Sequence, residues 1–398
     1  MNKLFIEDLD LKNKKVLVRV DFNVPLDEKG NITSDKRIRE SLPTIQYIIK
    51  NGGRPILMSH LGRPDGKKIP SMSLKPVAQR LKDLLHADVH MAEDCIGDKV
   101  EKLIHSTKSK DIILLENLRF HTEEEDNTQT FSQQLARLGD VYINDAFGTA
   151  HRAHASTAGI TQFIKPCASG YLMKKELDYL GNAINQPKRP LAAILGGAKI
   201  SGKIDVIENL LSKVDILIIG GGMVFTFFRA MGLATGNSIV EKDKIPLAKS
   251  ILEKTKKLKV DFVLSVDCVV AKEFKNDAEQ KVVKREAIPD GWEGLDIGPE
   301  SIKLFKEKLK NAKTVIWNGP LGVFEMDNFS KGTSAIAQLL SEITKQGAIS
   351  IIGGGDSASA IKKAGLEKAV THVSTGGGAS LEFLEGKKLP GVIALTDK

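Results

Sequence analysis

In the first half of the chain, polar residues recur just after apolar, β-branched runs. Asp21 and Asn23 follow Val16–Val20, and His60 and Arg63 follow Pro55–Ser59. Arg119 follows Asp111–Leu115, Arg152 follows Val141–Asn144, and Arg37 sits in DKRIRE behind the first run. In open α/β sheets, ligands bind outside the carboxyl ends of the strands. Four arginines and a histidine at that register describe a pocket for one small, multiply charged anion, because the guanidinium fork binds carboxylate and phosphate bidentately. His151 and His154 form an H-x-x-H pair with Asp145 as a third ligand to consider. Without an H-E-x-x-H pattern, zinc is not the reading.

The second half carries a different device. Apolar runs end in glycine clusters in LAAILGGAKISGK (Leu191–Lys203), DILIIGGGM (Asp215–Met223), ISIIGGGDS (Ile349–Ser357) and HVSTGGGAS (His372–Ser380). Turns without side chains let backbone N–H groups and helix N-termini approach a polyanion. GAKISGKI (Gly197–Ile204) nearly spells a Walker A loop, but Ile204 stands where a hydroxyl would hold Mg²⁺. A helix from Ile200 onward would put Lys199 and Lys203 on one face, suited to a transferring phosphoryl group. GGGDSA (Gly353–Ala358) also fits a loose dinucleotide fingerprint, so a nicotinamide-dependent dehydrogenase is the rival enzyme. No acid follows the next strand-like run to hold a ribose, whereas Asp356 inside the turn suits a Mg²⁺-side ligand. That favours a metal-nucleotide.

These residues must be positioned by a scaffold. A chain of 398 residues exceeds one typical core, so two domains are expected. The strand candidates above alternate with amphipathic stretches such as Leu74–His86 and Thr130–Leu138, which indicates a parallel sheet with covering helices. The pattern repeats with runs at Leu191–Leu195, Ile216–Ile219, Phe262–Val266, Val315–Trp317 and Ile349–Ile352. Between the halves, Tyr171–Gln186 has helical periodicity and runs into a polar, proline-bearing boundary at Gln186–Pro190.

Composition narrows the function further. With 41% apolar, 27% charged and 5% aromatic residues, the chain is ordinary globular protein with little to stack on single-stranded nucleic acid. The net charge of +8 leaves nucleic-acid binding as the non-enzyme rival, without a recognition motif. No apolar run is long enough to span a bilayer, and the N-terminus lacks a signal-peptide core, so the expectation is cytoplasmic. The cysteines Cys95, Cys167 and Cys268 lack metal-ligand spacing and are expected as reduced packing residues.

Taken together, VRVDFNVPL, LMSHLGRPDG, LLENLRF, NDAFGTAHRAHAS, ILGGAKISGKI, IIGGGMVFTF, GLDIGPES, WNGPLGVFE, GGGDS and STGGGASLE resemble the phosphoglycerate kinase family, in its order, from Val18 nearly to the C-terminus. The resemblance implies two similar Rossmann-like parallel-sheet domains with a cleft between them and a hinge helix. The implied boundaries are 1–170, a connecting helix at 171–186, and 187–385, with the tail 386–398 packing back on the first domain. It implies Mg²⁺-dependent phosphoryl transfer between 1,3-bisphosphoglycerate and ADP, giving 3-phosphoglycerate and ATP, by a monomer. Asp21, Asn23, Arg37, His60, Arg63, Arg119 and Arg152 match the family's triose site. Arg37, Lys199 and Lys203 match its catalytic positions, Lys203 bridging the phosphates. Gly294, Leu295, Asn318, Pro320 and Glu325 match nucleoside positions, and Gly353, Gly354, Gly355, Asp356 and Ser357 the phosphate and Mg²⁺ loop. Ser357 replaces a frequent threonine and Leu321 a frequent methionine; both are conservative.

Overall fold

The structure, a computed structural model, describes residues 3–108 and 111–398. Strands β1 (Lys15–Arg19), β2 (Arg54–Met58), β3 (Val89–Met91), β4 (Ile112–Leu114), β5 (Val141–Asn144) and β6 (Cys167–Ser169) form a parallel sheet in the order β3-β4-β2-β1-β5-β6. Strands β7 (Leu191–Leu195), β8 (Ile216–Ile219) and β9 (Asp261–Leu264) are followed by β10 (Asp267–Ala271), β11 (Gln280–Lys284) and β12 (Glu293–Ile297). Strands β13 (Thr314–Asn318), β14 (Ile349–Gly353) and β15 (His372–Val373) complete a second parallel sheet, β15-β14-β13-β7-β8-β9. The chain divides into two compact units, Met1–Leu177 with Lys388–Lys398, and Asp178–Lys387. The class is α/β, with two parallel-sheet domains.

Both faces of each parallel sheet are covered, which is why the main strands read as nearly continuous apolar runs. Along β1 and just beyond it, Val16, Val18 and Val20 enter one core while Leu17 enters the other. Arg19 continues the Leu17 face and is almost completely buried. In the second unit Ala192, Ile194, Val315 and Trp317 share a core. The strand order turns at β1, which lies between β2 and β5, and at β7, which lies between β13 and β8. Those reversals open the crevices in which such folds hold ligands.

The expected helices are present with ends shifted by one or two residues, at Lys75–Leu85 and Gln129–Ala136. The sequence reading did not identify β3 and β6, which span three residues each, nor the antiparallel sheet β11-β10-β12. Strand β11, QKVVK, is too polar and exposed to show a buried-strand signature. The predicted strand at Phe262–Val266 ends instead at Leu264, and the chain turns into β10.

The helix Tyr171–Asn185 runs across the division between the units. At its start, Asp145 Oδ1 accepts from the N–H groups of Leu172 and Met173 at 2.8 and 3.1 Å. Further along, Tyr179 stacks on His372 with ring centroids 4.7 Å apart. The tail buries Leu389, Val392 and Leu395, and Asn144 Nδ2 donates to the Gly391 carbonyl at 3.0 Å.

Candidate active site

The first unit gathers its arginines by internal carboxylates and backbone carbonyls. Arg37, from the first turn of the helix Lys36–Lys50, places Nη1 2.8 Å from both oxygens of Asp21, just beyond β1. Asn23 and Arg119 meet on one glycine: Asn23 Oδ1 accepts from Gly62 N–H at 2.9 Å, and Arg119 Nη1 donates to the Gly62 carbonyl at 2.8 Å. Arg119 is buried, and burial lowers its basicity. Its Nη2 lies 3.1 Å from Glu125, and Arg152 Nη1 is 4.0 Å from the same carboxylate oxygen.

His60 lies at the electrostatic centre of this group. Burial first, then Arg19, Arg119, Arg37 and Arg152, hold its pKa well below the ordinary value. The imidazole is therefore neutral at physiological pH. Arg63 is exposed and makes no ion pair among the described residues, so the structure brings it into the network least.

Asp145 and the histidine pair serve separate contacts. Asp145 faces the start of the helix Tyr171–Asn185, and burial raises its pKa to about 7. His151 Nε2 meets Arg152 Nε at 3.3 Å, and His154 Nδ1 lies 3.9 Å from Glu124. Among the described residues, Asp94, Cys95 and His121 bring their ligand atoms within 4.8 Å of one another. That group is already bonded internally, with Asp94 accepting from His121 at 2.6 Å and Lys68 at 2.7 Å.

The second unit builds its site from main chain at the β7/β13 reversal. Gly197 N–H donates to the Pro320 carbonyl at 2.9 Å, joining the loops that follow the two strands. Lys203 is partly buried, and its Nζ donates to Asn318 Oδ1 at the end of β13. Burial lowers its pKa to about 8, against the opposing attraction of Asp356 and Glu385. The expected pairing of Lys199 with Lys203 on a helix face is wrong. The helix starts only at Ile204, so Lys199 lies in the preceding loop, exposed, and Lys203 is the N-cap. The glycines at 196, 197 and 202 keep that segment out of helix, since glycine gains little there.

The turn after β14 leads into the helix Gly355–Lys363, with Gly354 as its N-cap at φ +85°, a conformation favouring glycine. Asp356 is exposed in the first helical turn. Ser357 is buried, and its Oγ accepts from Gly319 N–H at 2.6 Å, tying this helix to the loop after β13. Beside these turns lies a cavity of about 240 Å³ lined by Phe225, Gly294, Leu295, Pro320, Glu325 and Asp356, among others. Its wall requires glycine at 294, where a Cβ would come within 2.0 Å of the Phe225 ring. The exposed carboxylate of Asp356, which lines this cavity, is a hard oxygen donor of the kind that suits Mg²⁺.

Sequence reasoning missed Arg19, Glu124, Glu125 and Ser156, which underlie the arginine cluster. Arg19 had a legible signal: it is the charged residue inside an otherwise apolar strand, VLVRV. Glu124 and Glu125 lie in a TEEE run that reads as a solvated turn, although Glu124 is fully buried.

One unit presents arginines at its strand ends and the other presents glycine turns and a partly buried lysine; together these describe an α/β protein suited to phosphorylated ligands. Comparison with known proteins makes the assignment specific. The sequence profile "Phosphoglycerate kinase" matches residues 6–387. Over 397 residues the chain is 60% identical to a phosphoglycerate kinase of Chloroherpeton thalassium, covering 100% of both chains. It is 58% identical over 390 residues to "Phosphoglycerate kinase, cytosolic" of Triticum aestivum, covering 98% of this chain and 97% of the relative. The solved phosphoglycerate kinase of Coxiella burnetii superposes with a TM-score of 0.90 at 40% identity, covering 98% of each chain. The chain belongs to the phosphoglycerate kinase family, and it is a kinase of that kind, a phosphotransferase with a carboxyl group as acceptor.

Proposed function

We propose that the chain transfers a phosphoryl group reversibly from the acyl phosphate of 1,3-bisphosphoglycerate to ADP, giving 3-phosphoglycerate and ATP, by direct in-line transfer. The observation that carries this reading is the 60% identity to a phosphoglycerate kinase along the whole chain. The acceptor is an anionic oxygen in either direction, so the reaction needs positioning and charge stabilisation rather than a protein nucleophile or general base.

Asp21, Asn23, Arg37, His60, Arg63, Arg119 and Arg152 hold the triose, the carboxylate of Asp21 orienting Arg37 rather than touching the anion. The cavity at Gly294, Leu295, Pro320 and Glu325 takes the nucleoside, and Gly353–Ser357 with Lys203 the phosphates. Asn318 acts through Lys203, which it holds before the phosphates arrive. Lys199, exposed in its glycine loop, joins from the same side once phosphate is present. Asp356 is the residue that would hold Mg²⁺, which supplies charge neutralisation on the phosphate oxygens when bound. Arg37 and Lys203 then stabilise the spreading charge from opposite ends.

Substrates held on separate units require the units to close, with water excluded from the acyl phosphate and the helix Tyr171–Asn185 as pivot. Small-angle scattering that records no compaction with both substrates bound would remove closure from the mechanism. We further propose that the enzyme acts as a cytoplasmic monomer; among the described residues no helix is long and apolar enough to cross a membrane. The reaction itself is tested by incubating the protein with Mg-ATP, 3-phosphoglycerate and hydroxylamine, which traps acyl phosphates as hydroxamates. Hydroxamate that requires every component supports the reading, and none from folded, ATP-binding protein overturns it.

A further inference from the structure

A buried guanidinium lies behind His60. Arg19 is 1% exposed at the end of β1, and His60 follows β2, the neighbouring strand on which Arg19 pairs with Met58. Met58 and His60 are two residues apart, so the histidine and Arg19 rise on the same face of the sheet. Arg19 Nη2 lies 3.2 Å from His60 Nδ1.

The other two nitrogens of Arg19 are also engaged. Its Nη1 donates to the Val20 carbonyl, and its Nε donates to Ser156 Oγ at 2.8 Å. Ser156 in turn donates from Oγ to Glu124 Oε1 at 2.5 Å and from its backbone N–H to Glu124 Oε2 at 2.9 Å. Glu124 is fully buried, which raises its pKa, and Arg19 is the leading charge opposing that rise. The guanidinium is thus held on three sides, with a buried carboxylate one residue behind it.

A guanidinium is always charged and only donates. Its contact with Nδ1 therefore requires a lone pair on that nitrogen, and a neutral ring then carries its proton on Nε2. Among the described residues, the contact with Arg19 is the one hydrogen bond recorded for the ring. Nε2–H is left as a donor in the neighbourhood of Arg37, Arg119 and Arg152.

We propose that Arg19, braced by Ser156 and Glu124, is a positioning residue that fixes His60 as the Nε2–H tautomer and so makes it a hydrogen-bond donor to the bound triose. The alternative tautomer would turn a lone pair toward the anion and replace attraction with repulsion. A protonated ring would donate from both nitrogens and confront Arg19 with a second cation. The arrangement gives a donor that carries no charge of its own in a site already crowded with arginines. The inference rests on the triose assignment of this pocket only for the identity of the acceptor; the tautomer belongs to the protein alone.

The test is nitrogen NMR on the full chain with ¹⁵N-labelled histidine, without ligand and then with 3-phosphoglycerate. The wild type is expected to show His60, identified by its loss in His60→Gln, with Nε2 protonated and Nδ1 unprotonated across pH 6 to 8. Arg19→Met is expected to mix the tautomers and to raise KM for 3-phosphoglycerate about tenfold, the scale of one hydrogen bond to a charged group, with KM for ATP unchanged. Arg19→Lys, which restores a charged donor, is expected to recover part of both effects and serves where the methionine variant does not fold. An Nδ1–H ring in the wild type overturns the proposal. So does a folded Arg19→Met protein with unaltered tautomer and KM. If instead His60 has the expected tautomer but its signals do not respond to 3-phosphoglycerate while other residues' signals do, the donor role and the triose assignment of His60 fall together, and Arg19 keeps only the tautomer.

Discussion

On the proposed reading, the two units solve the same problem, holding a polyanion at a sheet reversal, with opposite materials. The first uses long side chains, and three of its four candidate site arginines are held by partners inside the unit: Arg37 by Asp21, Arg119 by Gly62 and Glu125, Arg152 by Glu125 and His151. The second uses main chain, with Gly196, Gly221 and Gly319 letting loops approach closely and a partly buried lysine, Lys203, supplying charge. Side chains give a site whose strength depends on charge that must be kept apart until the ligand arrives. Main-chain turns give a site whose strength depends on shape, and which tolerates little added volume.

The largest expected effects break each side of that contrast at the cation proposed to stabilise the transferring group. Arg37→Ala and Lys203→Ala are each expected to lower turnover by on the order of 10³-fold or more, by analogy with single arginines in other phosphoryl-transfer sites. Calorimetry should find ATP still bound by Arg37→Ala and triose still bound by Lys203→Ala. If either variant lost both ligands, the division of labour between the units would be wrong.

Shape comes next. Gly294→Ala places a methyl against the Phe225 ring in the cavity wall. A rise in KM for ATP of about tenfold is expected, consistent with a strained or partly filled pocket, with KM for 3-phosphoglycerate unchanged. An equal rise in both would mean that the cavity is not the nucleoside site.

The pH dependence separates the two cations. Lys203 has its pKa lowered to about 8 by burial, so the free enzyme loses this charge as pH rises through that value. The kcat/KM for ATP is therefore expected to fall above about pH 8, by up to about tenfold per unit, and Lys203→Arg should move the fall upward. His60, neutral throughout, contributes no limb near its ordinary value. Persistence of the alkaline fall in Lys203→Arg would assign it to another group.

The smallest effect runs the other way. Glu125 faces both Arg119 and Arg152, at 3.1 and 4.0 Å, and competes with any anion they would bind. Glu125→Gln is expected to lower KM for 3-phosphoglycerate a few-fold, the scale of a partly exposed ion pair. A higher KM would show that the carboxylate orients the arginines rather than restraining them.

Most of the scaffold was legible because strands buried on both faces leave an apolar run with no alternation to misread. β1, β2, β5, β7, β8, β13 and β14 all fall within a residue or two of the sequence-based assignments. The sheet β11-β10-β12 was not legible, because QKVVK is polar and exposed and lacks the apolar run or alternation of a buried strand. At the sites, Arg37, His60 and Arg119 could be read from their positions after strands. The lysine pair could not, because Lys199 and Lys203 have helical spacing in a segment whose glycines favour a loop.

What the sequence determined by itself was local: residue type, apolar period, glycine at turns, and the family motifs that carry the assignment to phosphoglycerate kinases. Only the tertiary structure decided which side chains meet. It brought Arg19 to His60 across neighbouring strands, Ser156 and Glu124 beneath them, and Asn318 to Lys203 over a separation of 115 residues. Hydrogen-bond direction and the burial that sets charge depend on such distant neighbours, and no spacing along the chain encodes them.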